Sequence, residues 1–193
     1  MENIKINNKI YQKPLFVFAL EKEAGTAFSG ENVTFVGVGK INATYNLLKA
    51  IQKHNPDIII NLGTAGSTKF NKGEVVCCTE FIQRDMDVMA LGFQKFETPF
   101  STDAVILEYG IELEGLPKGI CGSGDQFEME HKNPEYNIIE MEAFALAKVS
   151  KEENIPFLSL KFISDGADGG AAEDWVEQVK YAASAFKKIL FDK

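Results

Sequence analysis

The chain has 193 residues, 45% of them hydrophobic, and a formal net charge of −8 at pH 7. This length fits one domain over residues 1–193 with a sizeable core. The acidic balance, with Arg84 as the only arginine, argues against a nucleic-acid partner, since such surfaces need clustered Lys and Arg.

Apolar runs alternate with helical patterns along the chain. The β-like runs predict strands at 15–20, 33–38, 57–62, 74–82, 119–122, 137–140 and 156–163. Helical spacing of apolar residues predicts helices at 42–54, 141–151 and from about Trp175 to Leu190. The segment 92–118 is irregular, with room for a short helix at 101–109. This alternation predicts a single α/β domain with a largely parallel sheet.

Several classes of site find no support in the sequence. Cys77, Cys78 and Cys121 have no framework spacing and are expected to be buried or half-buried thiols. The two histidines have no partners at metal-ligand spacing, so neither a metal nor another cofactor is expected. The polar N-terminus lacks a signal core, and no segment has the length of a membrane span, so we expect a cytoplasmic protein without membrane contact.

Glu142 lies in the first of two acidic motifs that follow predicted strands. It begins a helix whose next inward positions, Ala145 and Leu146, are apolar, which points the carboxylate toward the core or a pocket. A helix N-terminus favours an anion, so Glu142 is expected to stay ionised and could hold a vicinal diol such as a ribose. The alternative is a capping carboxylate.

Asp165 lies in the second motif, after the mostly apolar run 158–164. Poor solvation there would raise the pKa of this carboxyl and let it act as an acid. An N-cap or an Asx-turn is an equally good interpretation of Ser-Asp-Gly.

Glycines follow two other predicted strands. The segment 62–67 reads as a turn whose amides could approach a ligand closely, or as a plain connection. The segment 37–40 reads as a turn that lets a helix pack close to the sheet, because it lacks a dinucleotide fingerprint. Glu21 and Glu23, after the first strand, are by default surface acids at a helix start.

Seven short segments, in order, resemble the nucleoside phosphorylase/nucleosidase superfamily, and most of all its 5′-methylthioadenosine/S-adenosylhomocysteine nucleosidase branch. They are FVFALEKEA (16–24), VGVGKINAT (36–44), INLGTAGS (60–67), GEVV (73–76), SGDQF (123–127), IEMEAFALAKV (139–149) and FISDGAD (162–168). The resemblance implies a three-layer fold, with a twisted, mostly parallel mixed sheet flanked by helices. It also implies hydrolysis of a purine N-glycosidic bond and a homodimer whose partner closes the 5′ side of the pocket.

The same resemblance assigns roles to individual residues. Asp165 would protonate N7 of the base, Glu23 would activate water, and Glu142 would hold the ribose hydroxyls. The remaining implied contacts are Met141 beside the sugar, Phe127 and the Glu128 backbone at the purine, and Thr64 and Gly66 near the water and the ribose. An oxocarbenium-like sugar would form as the base departs, as in glycoside hydrolysis.

Three departures from the family pattern bear on the substrate. Lys161 stands where these nucleosidases usually have an arginine near the water, and Glu128 replaces a usually apolar residue. The chain is also shorter, mainly before SGDQF, in a region that shapes the 5′ pocket.

Two rival functions remain. A purine nucleoside phosphorylase would need several arginines to grip phosphate, which favours water as the nucleophile. A purine-nucleoside-binding module without catalysis is the second rival. The residues do not identify the 5′ substituent of the nucleoside. They also do not decide between a purine with a 6-amino group and one with a 6-oxo group.

Overall fold

The computed structural model describes residues 3–191, which form ten strands and four helices. The strands are β1 (Ile4–Ile6), β2 (Lys9–Tyr11), β3 (Pro14–Phe18), β4 (Val33–Phe35), β5 (Ile58–Gly66), β6 (Val75–Gln83), β7 (Leu107–Glu108), β8 (Lys118–Ser123), β9 (Ile138–Glu140) and β10 (Phe157–Asp165). The helices are α1 (Glu21–Ala24), α2 (Lys40–His54), α3 (Ala143–Glu152) and α4 (Ala171–Phe191), with a 3₁₀ turn at Met89–Leu91.

Eight strands form one mixed sheet, in the order β10-β6-β8-β9-β5-β3-β4, with β7 added to β6. β10 also pairs with β5, so the strands β5, β10, β6, β8 and β9 close into a ring. Most pairings are parallel, while β10 with β6, β5 with β9 and β6 with β7 are antiparallel. The predicted α/β class with a mostly parallel mixed sheet is confirmed.

Helices cover both faces of the sheet because its central strands are apolar on both sides. In β3, Leu15 and Val17 join the core under α2 and α3, while Phe16 and Phe18 join the core under α4. Such unbroken apolar runs are typical of strands buried on both faces. Cys77, Cys78 and Cys121 are buried free thiols, as expected.

The structure corrects the sequence prediction at several elements. The segment 62–67 is not a turn, because β5 runs on to Gly66 and pairs in parallel with β10 up to Asp165. No helix forms at 101–109; Leu107–Glu108 is instead a strand on β6. The strand predicted at 33–38 is shorter, and the hairpin β1–β2, which turns at Asn7 with φ 51°, was not predicted.

Among residues 3–191, no helix combines the length and apolar character needed to cross a membrane. The same residues contain no cluster of three or more His, Cys, Asp or Glu side chains suited to a metal ion.

Candidate active site

A cavity of about 240 Å³ lies at the carboxyl ends of three adjacent parallel strands, β3, β5 and β10, beside the end of β9. This is the edge of an α/β sheet where ligands usually bind. Eight of the nine residues expected at the site line it: Glu23, Thr64, Gly66, Phe127, Glu128, Met141, Glu142 and Asp165.

Glu23 follows β3 in the one-turn helix α1, and it is only 4% exposed. Its Oε1 atom accepts hydrogen bonds from both the backbone N–H and the hydroxyl of Thr64, each at 2.8 Å. Its Oε2 atom accepts the Leu20 N–H at 3.1 Å. The default prediction of a surface acid therefore holds for the exposed Glu21 and is wrong for Glu23.

Trp175 is a cavity residue that the sequence analysis did not identify. Its indole N–H donates to the Thr64 hydroxyl at 2.9 Å, across 111 residues of chain. The helical pattern placed Trp175 on the apolar face of α4, and nothing in that pattern distinguishes a cavity wall from a core contact.

Asp165 ends β10 and is 4% exposed. Its two carboxylate oxygens accept the Ser164 hydroxyl at 2.8 Å and the Ala167 N–H at 2.9 Å. The Ala167 bond is the Asx-turn considered as an alternative, and the carboxyl nevertheless faces the cavity. Burial raises the pKa of Asp165, as the sequence predicted.

Gly66 lies against the Asp165 side chain, where a larger residue would not fit. A Cβ atom at this position would lie 2.5 Å from the Asp165 Oδ1 atom. The close approach of β5 to the Asp165 carboxyl therefore requires glycine.

Glu142 is the N-cap residue of α3, but its side chain makes no capping hydrogen bond. Its Oε1 atom instead accepts the Gly39 N–H at 2.8 Å, at the turn before α2, where Gly37 and Gly39 have φ near 85°. Burial, together with the Glu140 carboxylate, raises the pKa of Glu142 to about 8. The expectation that Glu142 stays ionised is therefore wrong.

Glu140 is the anion at the start of α3. It accepts the Glu142 and Ala143 N–H groups at 2.9 and 2.8 Å, the Ser123 hydroxyl, and the Lys161 ammonium at 3.0 Å. Burial opposes ionisation, but the Lys161 charge and these donors together hold the pKa of Glu140 below its ordinary value.

Lys161 does not line the cavity, in contrast to its expected place in the site. It is 1% exposed and lies behind the wall, paired with Glu140. Its Nζ atom and the Glu23 Oε1 atom both lie 3.4 Å from the point where a Gly63 Cβ would be. The lysine therefore places positive charge near the glutamate without contacting it.

Another part of the cavity wall is built around Glu128. Its carboxylate pairs with Arg84 at 3.1 Å and with His131 at 2.9 Å. Arg84 also donates to the Gly124 and Gln126 carbonyl oxygens, so both terminal guanidinium nitrogens are engaged, and its Nε is buried. Next to Glu128, the Phe127 ring is 53% exposed at the cavity wall.

The chain belongs to the phosphorylase superfamily, whose family model matches residues 3–192. A 5′-methylthioadenosine/S-adenosylhomocysteine nucleosidase of Haemophilus influenzae (strain PittGG) is 30% identical over 184 residues, covering 84% of this chain and 80% of the relative.

Two solved structures share the fold. The 5′-methylthioadenosine/S-adenosylhomocysteine nucleosidase of Helicobacter pylori superposes with a TM-score of 0.81 at 21% identity, covering 92% of this chain and 95% of that one. The futalosine hydrolase of the same organism gives 0.80 at 19% identity, covering 92% and 97%.

Proposed function

We propose that this chain hydrolyses the N-glycosidic bond of a purine nucleoside of the 5′-methylthioadenosine/S-adenosylhomocysteine type. The products would be adenine and a 5-substituted ribose. The proposal rests on one observation: Glu23, Glu142 and Asp165 line the same cavity. Each of the three carboxyl groups has different hydrogen-bond partners. The curated relative from Haemophilus influenzae supports the same reaction.

Asp165 is suited to act as the general acid. Burial raises its pKa, which is the direction that favours proton donation to N7 of the leaving base. Protonation of the base lowers the barrier to its departure, and a general acid of this kind contributes roughly 10²–10⁴-fold to the rate.

Glu23 is suited to act as the base that activates water. Its carboxylate meets only neutral donors at hydrogen-bond distance, from Thr64 and Leu20. It can therefore accept a proton and help to stabilise positive charge on the sugar. Glu142 would hold the ribose hydroxyls with Met141 beside the sugar, and Thr64 and Gly66 would lie near the water and the ribose.

Water is favoured over phosphate as the nucleophile. The chain has a single arginine, and its terminal nitrogens are bound to Glu128 and two carbonyl oxygens. Lys161 is paired with Glu140 behind the cavity wall. A phosphate clamp of several guanidinium groups cannot be built from these residues.

The base end of the cavity fits a purine stacked on Phe127. The Glu128 carboxylate is held by Arg84 and His131, which explains how a charged residue is accommodated at a usually apolar position. The edge of the base would then meet the backbone at Glu128 and the Asp165 carboxyl.

We further propose a cytoplasmic homodimer that acts in methionine salvage. Large apolar side chains are exposed at the start of α2, which follows the cavity residue Val38: Ile41 is 81% and Tyr45 58% exposed. In the shortened segment, Leu91 is 73% exposed. A second copy covering these residues would close the cavity. Light scattering should then give twice the mass of the chain.

The decisive experiment identifies products from a panel of purine nucleosides that vary in the 5′ substituent and the 6-position, with and without phosphate. Release of free base at a rate independent of phosphate is expected. Ribose 1-phosphate as product would establish a phosphorylase, and binding without any cleavage would establish a non-catalytic module.

The acid assignment is tested with Asp165→Asn. This variant should lose most turnover, roughly 10²–10⁴-fold, while it still binds the nucleoside. The same assay should show unchanged turnover for Glu177→Gln, an exposed acid outside the cavity lining. Normal turnover in Asp165→Asn would mean that another group protonates the base.

A further inference from the structure

We infer that Trp175 positions the general base through Thr64, in addition to forming part of the cavity wall. This inference rests on the proposed hydrolase function and assigns a role to a residue of the same site. The observation behind it is a chain of two hydrogen bonds, from the Trp175 indole to the Thr64 hydroxyl at 2.9 Å and from that hydroxyl to Glu23 at 2.8 Å.

The donor groups fix the direction of these two hydrogen bonds. An indole N–H can only donate, and a hydroxyl carries one proton and two lone pairs. When Trp175 donates to the Thr64 oxygen, the single hydroxyl proton remains free for Glu23. The Thr64 N–H donates to the same carboxylate oxygen at 2.8 Å, so Thr64 holds Oε1 with two bonds.

The chain orients the carboxylate that would activate water. The Thr64 hydroxyl can rotate, and the indole N–H, by donating to its oxygen, favours the orientation in which the hydroxyl proton points at Glu23. Hydrogen bonds in series polarise one another, so the indole also strengthens the bond from Thr64 to Glu23. Since a general base acts only at the correct distance and angle, loss of the indole N–H should slow the chemical step more than it weakens binding.

Trp175 reaches the site because α4 begins soon after Asp165. The helix starts at Ala171 and carries Trp175 back over the end of β5, where Thr64 lies. The acid and the positioning tryptophan thus come from one short stretch of chain, ten residues apart, whereas the base comes from its other end.

The first test compares Trp175→Phe with the wild type. Phenylalanine keeps an aromatic wall and removes the indole N–H, together with the volume of one ring. The kcat should fall about three- to tenfold, as expected for one lost hydrogen bond, while KM stays within about twofold. The matched control is Tyr181→Phe, which removes a polar atom from a half-exposed aromatic residue of the same helix and should leave kcat unchanged.

Double variants separate positioning from packing. In the Thr64→Val background the hydroxyl is absent, so Trp175→Phe should cause no further loss of kcat. In the Thr64→Ser background the hydroxyl is retained, so Trp175→Phe should again lower kcat. An equal loss in all backgrounds, or a change in KM alone, would overturn the positioning role.

A second measurement needs no activity. Trp175 is the only tryptophan, so ¹⁵N labelling gives a single indole N–H resonance. That resonance should move in Thr64→Val and stay in place in Tyr181→Phe. An unchanged resonance in Thr64→Val would refute the hydrogen-bond chain whatever the enzyme does. A wild type that cleaves no nucleoside, while the resonance responds as expected, would instead refute the proposed reaction and with it the positioning of a base.

Discussion

Two glutamates in different parts of the cavity wall, Glu23 and Glu128, have opposite kinds of partners. Glu23 accepts hydrogen bonds from neutral groups of Leu20 and Thr64. Glu128 is bound by the guanidinium of Arg84 and by His131. A carboxylate held by neutral donors is oriented and can still take a proton, whereas a carboxylate paired with a guanidinium is neutralised and serves to hold structure. The partners, rather than the residue type, distinguish the proposed general base from the proposed supporting residue.

The largest expected effect comes from Glu23→Gln. An amide accepts some of the same hydrogen bonds but cannot take a proton from water, so kcat should fall roughly 10²–10⁴-fold. Steady-state kinetics and a direct binding measurement would separate lost chemistry from lost affinity. A variant with near-normal kcat would remove the proposed contrast between the two glutamates.

Arg84→Met should have the next largest effect, because it leaves the Glu128 carboxylate without its guanidinium. The free energy of unfolding should fall by about 3 kcal/mol, since breaking one partner of a largely buried pair leaves a charge uncompensated. KM should rise more than kcat falls, because the cation supports the wall around Phe127. Denaturant unfolding provides the first measurement, and the same substitution in a Glu128→Gln background should cost less.

Glu142→Gln tests a third carboxyl, which has no cationic partner within hydrogen-bond distance in the described part of the chain. Because the folded protein raises the pKa of Glu142 from 4.5 to about 8, the folded state holds this proton more tightly than the unfolded chain does. Wild-type stability should therefore fall as pH rises from about 4.5 to about 8.

The glutamine variant lacks this titration, so its stability relative to the wild type should increase over that window, by on the order of 3 kcal/mol. Thermal unfolding at pH 5 and pH 8 would measure the difference. If the stabilities of the two proteins changed with pH in the same way, burial would not raise the pKa of Glu142.

The smallest effect is expected from Glu128→Gln. The amide oxygen still accepts from Arg84, so kcat/KM should change by no more than about threefold, within the range of one neutral hydrogen bond. Kinetics measured beside those of Glu23→Gln would complete the comparison. A large loss here would mean that the Glu128 charge itself takes part in recognition of the base.

The sequence predicted the sheet well because its strands are apolar on both faces, as in β3 and β5. It failed at 62–67, where two glycines suggested a turn. The strand there is held by pairing with β10, almost a hundred residues away, and local preference carries no signal of such pairing.

Within the site, local patterns located the acids better than they described their charge. Glu142 was expected to be ionised because it begins a helix, but Glu140, two residues earlier, reaches the free amides of that helix first. Glu23 and Trp175 could not be placed by pattern alone, since helical spacing shows which face is apolar and not what that face meets.

The ring of strands has a consequence for how the protein behaves in a crowded solution. Each strand of the ring has a neighbour on both sides, and the main sheet ends, within residues 3–191, in short strands such as the three-residue β4 and the two-residue β7. Exposed strand edges are the templates on which chains pair and aggregate. A sheet that is closed on itself and bordered by such short edges offers little backbone to another chain, so the apolar strands of this domain are protected by topology as well as by burial.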